Sequence, residues 1–294
     1  MSDYGKGLLI TLSGVLILSP DVLLIRLADV PEWTLMFWRG LGMAVMISLW
    51  LMATRGRDAL GLMRAVGLPG VAIGASYTLG NVSFLYSVNH TLAANTLFIL
   101  ATMPVFSALI ARFVMGQRVP RRTLLTIAAV LIGIALIARG SAGGGAGSLT
   151  GDLAAMVTAV SWAVIFAIAE QRKALSMVPA MAIAGAFAAV VAVVLAPGLT
   201  VPGASVPAVA LIAVIVVPGA AALLSLGPRY LPPADVALIM LLEAVFGPLF
   251  VWWGVGEVPG GWTLAGGSVV LGALALNNLA GLWGQRRRRP VGGA

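Results

Sequence analysis

The apolar residues of this chain come in continuous runs, not in alternation. Each run is about 20 residues long, enough for an α-helix to cross a bilayer, and none shows the period-two pattern of a barrel strand. Read in order, the runs predict ten helices, near 8–27, 32–53, 65–88, 92–115, 123–139, 152–170, 179–197, 207–227, 234–254 and 262–283. Between the fifth and sixth runs lies "RGSAGGGAGSLTG", Arg139 to Gly151, whose Gly and Ser content reads as a flexible linker. The pattern therefore divides into a five-helix unit over 1–139, a linker over 140–150 and a second five-helix unit over 151–294. The expected fold class is all-α, in a membrane.

One passage is written twice, about 140 residues apart. In "LATMPVFSALIARFVMGQRVPRR", Pro104-Val105-Phe106, Leu109 and Gly116 match Ala244-Val245-Phe246, Leu249 and Gly256 of "LLEAVFGPLFVWWGVGEVPGG". After a one-residue slip, Val119-Pro120 matches Val258-Pro259, and Gly133 matches Gly272. Any two apolar helices with Gly and Pro look somewhat alike, but this match spans two helices and the loop between them. Five is an odd number, so a unit that starts on one side of the membrane ends on the other, and its copy runs upside down. Two such halves form an inverted-topology repeat about an axis in the membrane plane.

Composition fits this picture. Hydrophobic residues make up 60% of the chain, charged residues 10%, and the mean hydropathy is +1.04, whereas a soluble domain is about a quarter charged. The net charge of +8 is not read as nucleic-acid binding, because the basic residues lie in short clusters between apolar runs, as in cytoplasmic loops. If the N-terminus is cytoplasmic, the inner segments hold Lys6; Arg55, Arg57 and Arg64; Arg118, Arg121 and Arg122; Arg172 and Lys173; Arg229; and Arg286 to Arg289. The outer loops hold little beyond Arg26 and Arg139. Both termini are thus expected in the cytoplasm, with the linker outside, in a multi-pass protein of a cell inner membrane. The first apolar run is read as a retained helix and not a cleaved signal, because "MSDYGKG" is barely basic and no A-x-A site follows. No cysteine is present, so thiol chemistry plays no part.

The stretch P-V-F-x-x-L-x-x-x-x-x-x-G-E, followed by a short turn and a Gly-rich apolar helix, resembles the drug/metabolite transporter superfamily. More closely it resembles the ten-helix, duplicated, EamA-type bacterial exporters. The first half carries Gln117 where Glu is usual, and the second carries Ala244 in place of Pro. Within that branch the chain looks most similar to exporters of amino acids, particularly aromatic ones. The resemblance implies a transporter of amino acids that works by alternating access, with multidrug or other-metabolite export as the alternative.

Enzymatic chemistry finds no footing in the residues. The lysines are Lys6 and Lys173, and neither lies in a Walker loop. The single histidine, His90, sits in "SVNHTL" at an expected external turn, without a nucleophile elbow or cysteines for zinc. The expectation is a transporter, not an enzyme, with no cofactor and no metal. A lipid-acting enzyme or a channel is the more distant rival.

Polar groups inside hydrocarbon are costly, so each one is a candidate. Helical rise puts Tyr77, Thr102, Trp162 and Glu243 near the midplane of helices 3, 4, 6 and 9. Asn81 lies one turn from Tyr77, while Asn95 and Phe98 neighbour Thr102. Tyr77 and Trp162 offer aromatic faces with polar handles. Asn81, Asn95 and Thr102 could hydrogen-bond a zwitterion or could simply hold helices together. Trp33, Trp262 and Trp283 read as interfacial anchors. Glu243 could carry a coupling proton or hold helix 9. Asp21 and Arg39, each about 10 Å deep, could pair across helices 1 and 2, or Arg39 could attract a substrate carboxylate. Pro20, Pro104 and Pro218 interrupt helices 1, 4 and 8 and free carbonyls there. The expected partners are an amino-acid substrate, lipid and, for coupling, protons. Gly-rich helices 5 and 10 are left between a peripheral packing role and a dimer face, and oligomeric state is left open.

Overall fold

The computed structural model describes residues 3–56, 58–114, 116, 121–143, 147–171, 178–226, 230–231 and 233–288. All regular structure among them is helical: α1 (Asp3–Leu18), α2 (Asp21–Ala28), α3 (Glu32–Arg55), α4 (Asp58–His90), α5 (Ala93–Leu100), α6 (Met103–Phe113), α7 (Arg121–Ala142), α8 (Leu149–Gln171), α9 (Val178–Leu195), α10 (Val206–Leu211), α11 (Val217–Leu226), α12 (Pro233–Met240), α13 (Glu243–Val255) and α14 (Gly261–Arg288). Among the described residues, nine helical segments are long and apolar enough to cross a membrane. The segment at α4 is not one of them. Its sequence mixes Gly, Ser, Thr, Tyr and Asn with the apolar residues, and it packs mainly on α8 and α9.

Several expected helices prove to be broken, and proline accounts for most of the breaks. Pro20 has no N–H, so the first run stops at Leu18 and restarts at Asp21. The Ser19 hydroxyl donates to the Val15 carbonyl at 2.8 Å across the break. Pro104 divides the fourth run into α5 and α6. Pro218 follows a five-residue π-turn, Ile212–Val216, a wider turn of the kind found at helix irregularities. The third run starts earlier than expected, at Asp58, and is kinked at Gly67, whose φ of 54° suits glycine.

The ninth run breaks at the same register as the fourth. In the fourth, the Thr102 N–H donates to the Ile99 carbonyl at 3.0 Å and the Val105 N–H to the Thr102 carbonyl at 2.8 Å. In the ninth, the Leu242 N–H donates to Ile239 at 3.0 Å and the Val245 N–H to Leu242 at 3.1 Å. Both helices end beside a left-handed glycine, Gly116 at φ 67° and Gly256 at φ 71°. Ala244 has the donor that Pro104 lacks, so a missing N–H does not cause the second break. There α13 leans on α2 and α5.

The packing crosses between the two halves of the chain. α3 lies along α9, α7 along α14, α4 along α8, and α1 along α11. Glycine permits the closest approach. A Cβ on Gly40 would lie 2.7 Å from the Gly185 carbonyl oxygen, and one on Gly185 would lie 2.7 Å from that of Gly40. Small residues let helix backbones meet in this way inside a bilayer. α7 and α14 meet through Gly133 and Gly266, so these Gly-rich helices pack on each other.

The Gly/Ser-rich stretch is more ordered at its flanks than a flexible linker would be. α7 continues to Ala142, and α8 begins at Leu149. Ser141 donates to Asp152 at 2.6 Å, and the Ser148 N–H donates to the Thr91 hydroxyl at 3.1 Å. Residues 144–146, and the motif residue Gln117, lie outside the described residues.

Candidate functional site

The break at Pro20 puts Asp21 in the first turn of α2, where helix N–H groups favour a carboxylate. Arg39, in α3, reaches it: Nη1 donates to Asp21 Oδ1 at 2.6 Å, with side chains only 7% and 4% exposed. The guanidinium also lies 5.8 Å from the centre of the Phe84 ring. Water cannot screen a pair buried this deeply. Its geometry must therefore offset the several kcal/mol of desolvation that each ion carries.

Tyr77, in α4, is 3% exposed and close enough to interact electrostatically with both Arg39 and Asp21. Its ring meets Trp162 of α8 edge to face, with centroids 5.8 Å apart and planes at 76°. Trp162 continues the aromatic row to Phe166, 6.3 Å away. Such pairs contribute about 0.5–1.5 kcal/mol beyond the area they bury. One helix comes from each half of the chain, so the contact lies across the two. Asn81 stands one turn from Tyr77 and is buried. Its Oδ1, together with Arg39 Nε and Thr78 Oγ1, is buried with no hydrogen-bond partner. Buried polar atoms are normally paired, and these three atoms lie on or next to the residues of the ion pair and the aromatic pair. Glu243, the first residue of α13, is half-buried and interacts electrostatically with Asp21.

The other expected site residues lie elsewhere. Asn95 is fully engaged: Nδ2 donates to Ser141 at 3.0 Å, Asp152 at 3.1 Å and Thr91 at 3.3 Å, while Oδ1 accepts from Thr263 at 2.7 Å. This network binds α5, α7, α8 and α14 to the turn after α4. It leaves Asn95 little capacity for a substrate. Phe98 packs on Gly267 of α14 and in a cluster with Ala94, Ile99 and Ala244. Thr102, in the break between α5 and α6, donates back to the Ile99 carbonyl of α5 at 2.6 Å. Pro20, Pro104 and Pro218 stand at helix irregularities. His90 stacks on Tyr86, with ring centroids 3.9 Å apart, at the exposed end of α4. Among the described residues, no three His, Asp or Glu side chains gather as metal ligands would.

Two groups were not singled out from the sequence. Asp152 accepts from Thr91, Asn95 and Ser141, a convergence of two stretches, 91–95 and 141–152, that no spacing announces. Arg26 and Glu257 form an ion pair at 2.8 Å. Glu257 stands in a Gly-Glu pair whose counterpart in the first half is Gly116-Gln117, which is the one sequence signal that could have pointed to it.

Residues 5–139 match the EamA-like transporter family. The first half of the chain is therefore similar to an EamA-like transporter domain, and that family consists of membrane transporters of small molecules. A solved structure described as "Crystal structure of protein" is 20% identical, with 94% of this chain and 99% of that one covered at a TM-score of 0.63. That likeness shows a shared fold across nearly the whole chain. Comparison with the curated proteins returned no match.

Proposed function

We propose that this protein is a ten-helix exporter of amino acids, aromatic and other neutral ones, working by alternating access across two inverted five-helix repeats. The observation that carries the reading is the meeting of Tyr77 and Trp162 beside the buried Asp21–Arg39 pair. The aromatic faces suit an apolar side chain. Arg39, with Nε free of partners, suits a carboxylate, and Asn81 Oδ1 suits an ammonium group. Glu243 is the candidate for a coupling proton, as a carboxylate beside Asp21 that is only half-buried.

The duplication supports two exchangeable states. Number the spans as α1–α2, α3, α4, α5–α6 and α7, and then α8, α9, α10–α11, α12–α13 and α14. Exchanging each span with the one five places on turns the α4–α8 contact into the α11–α1 contact. It also turns the α3–α9 and α7–α14 contacts into themselves, as an axis in the membrane plane requires. Loop charges favour cytoplasmic termini in an inner membrane.

A second reading has its own observation. Two carboxyl groups, Asp21 and Glu243, stand beside the one guanidinium of Arg39, and with Glu243 ionised that set suits a cationic apolar drug. Counterflow of labelled phenylalanine, alanine and an apolar cation in proteoliposomes, with and without a pH gradient, separates the two. Exchange of amino acids is expected. Exchange of the cation alone would replace this reading with the second, and a requirement for the gradient would implicate coupling.

A further inference from the structure

Arg26 and Glu257 lie far from the aromatic pair in the fold, at the face opposite the N-terminus. Arg26 is in the last turn of α2. Its Nη2 donates to Glu257 Oε2 at 2.8 Å and to the Thr91 carbonyl at 2.9 Å. The second Glu257 oxygen accepts from the Ala93 N–H, the first of α5, at 2.5 Å. Glu257 follows the left-handed Gly256 that ends α13. One carboxylate therefore joins the end of the first span, the start of the fourth and the end of the ninth. The two side chains are 23% and 19% exposed. This is not a freely solvated surface pair of negligible value. Its bonds are charge-assisted, and both carboxylate oxygens are engaged.

The duplicated passage supplies the comparison. At the 140-residue spacing shared by the two helix breaks, Glu257 corresponds to Gln117 and Ala93 to Pro233. Gln117 has no charge to offer an arginine. Pro233 has no N–H to donate. The two interactions that Glu257 makes on its face are therefore denied, by residue identity alone, to the matching place on the opposite face.

We propose that Arg26 and Glu257 form an ionic lock on the outer face, which the matching residue of the first half, Gln117, cannot form with its uncharged side chain, and that this lock biases the empty protein toward an outside-closed state. This rests on the alternating-access reading above. If the halves matched fully, the two states of an inverted repeat would be close in free energy. A contact present in one state only shifts their populations by its full value. The substrate is then loaded from the cytoplasm, and the outer face opens when the lock is broken.

The chain contains no cysteine, so a single reporter is clean. Thr78→Cys lies beside Tyr77 and is buried. Its labelling by an impermeant maleimide is followed in right-side-out vesicles without substrate. Glu257→Gln, which makes the two repeats alike at this position, is expected to speed labelling about tenfold. Arg26→Gln is expected to do the same, and the double variant should be no faster than either single one, because both break one contact. Glu257→Asp keeps the charge but shortens the reach to Ala93, and should fall between; it serves if Glu257→Gln does not fold. Unchanged rates in folded variants, or effects that multiply in the double variant, would overturn the lock. The same acceleration seen only in inside-out vesicles would keep the lock and overturn the orientation. Amino-acid counterflow is measured separately, so a wrong substrate class would leave the labelling result intact.

Discussion

The Asp21–Arg39 pair is where this structure makes its most quantitative commitment. The charges are 2.6 Å apart, and both side chains are less than a tenth exposed. Asp21→Asn leaves a buried guanidinium without its counter-charge, while its Nε already lacks a partner. Arg39→Gln leaves a buried carboxylate close to Glu243, eased in part by the N-terminus of α2, an effect of about 0.3–1 kcal/mol. Removing one partner of such a pair costs roughly 3–5 kcal/mol, mostly as the penalty of the stranded charge. The double variant strands no charge and keeps much of the shape, so it should cost less than either single one. That is a coupling of about 3 kcal/mol or more between the positions. The measurement is reversible unfolding in mixed micelles, followed by the fluorescence of the eight tryptophans. Costs that simply add, or single variants within about 0.5 kcal/mol of the parent, would refute the argument.

Three further outcomes are expected. Trp162→Ala should weaken large substrates selectively: losing roughly 60–100 Å² of shared burial at about 25 cal/mol per Å² is about 1.5–2.5 kcal/mol, or ten- to seventyfold. Competition across a series from alanine to phenylalanine reads this, and a uniform loss would assign Trp162 to packing instead. Asp152→Ala removes the acceptor for three buried donors, each costing about 1–3 kcal/mol when stranded. Unfolding midpoints should therefore drop clearly, and an unchanged midpoint would show that the network contributes nothing. Cysteine at Ser148 should react with an impermeant reagent in intact cells, and cysteine at Gly292 should not; the reverse would invert the orientation.

What can be read from one dimension here is what the bilayer enforces. In hydrocarbon every backbone group must find its partner within a helix, so apolar run length reports nine membrane-long segments among the described residues, and proline reports most of their breaks. The matching helix breaks and left-handed glycines of the two similar passages were also legible, because they depend on a few local residues. Local reasoning failed wherever the partner of a side chain lay in another span. Asn95, Phe98 and Thr102 sit at promising depth, but depth says nothing of azimuth, and the packing turned each toward a neighbouring helix or its own. The break before Glu243 persists with Ala244 where the fourth span has Pro104, so a missing donor at that position does not account for it. Asp152 acquires its role only because the 91–95 stretch, about sixty residues earlier, folds back onto it. The sequence by itself determined that this chain is helical and belongs in a membrane. The tertiary structure decided which polar groups are satisfied by one another and which remain free. Burial is set by composition and length, whereas pairing is set by which helix faces meet.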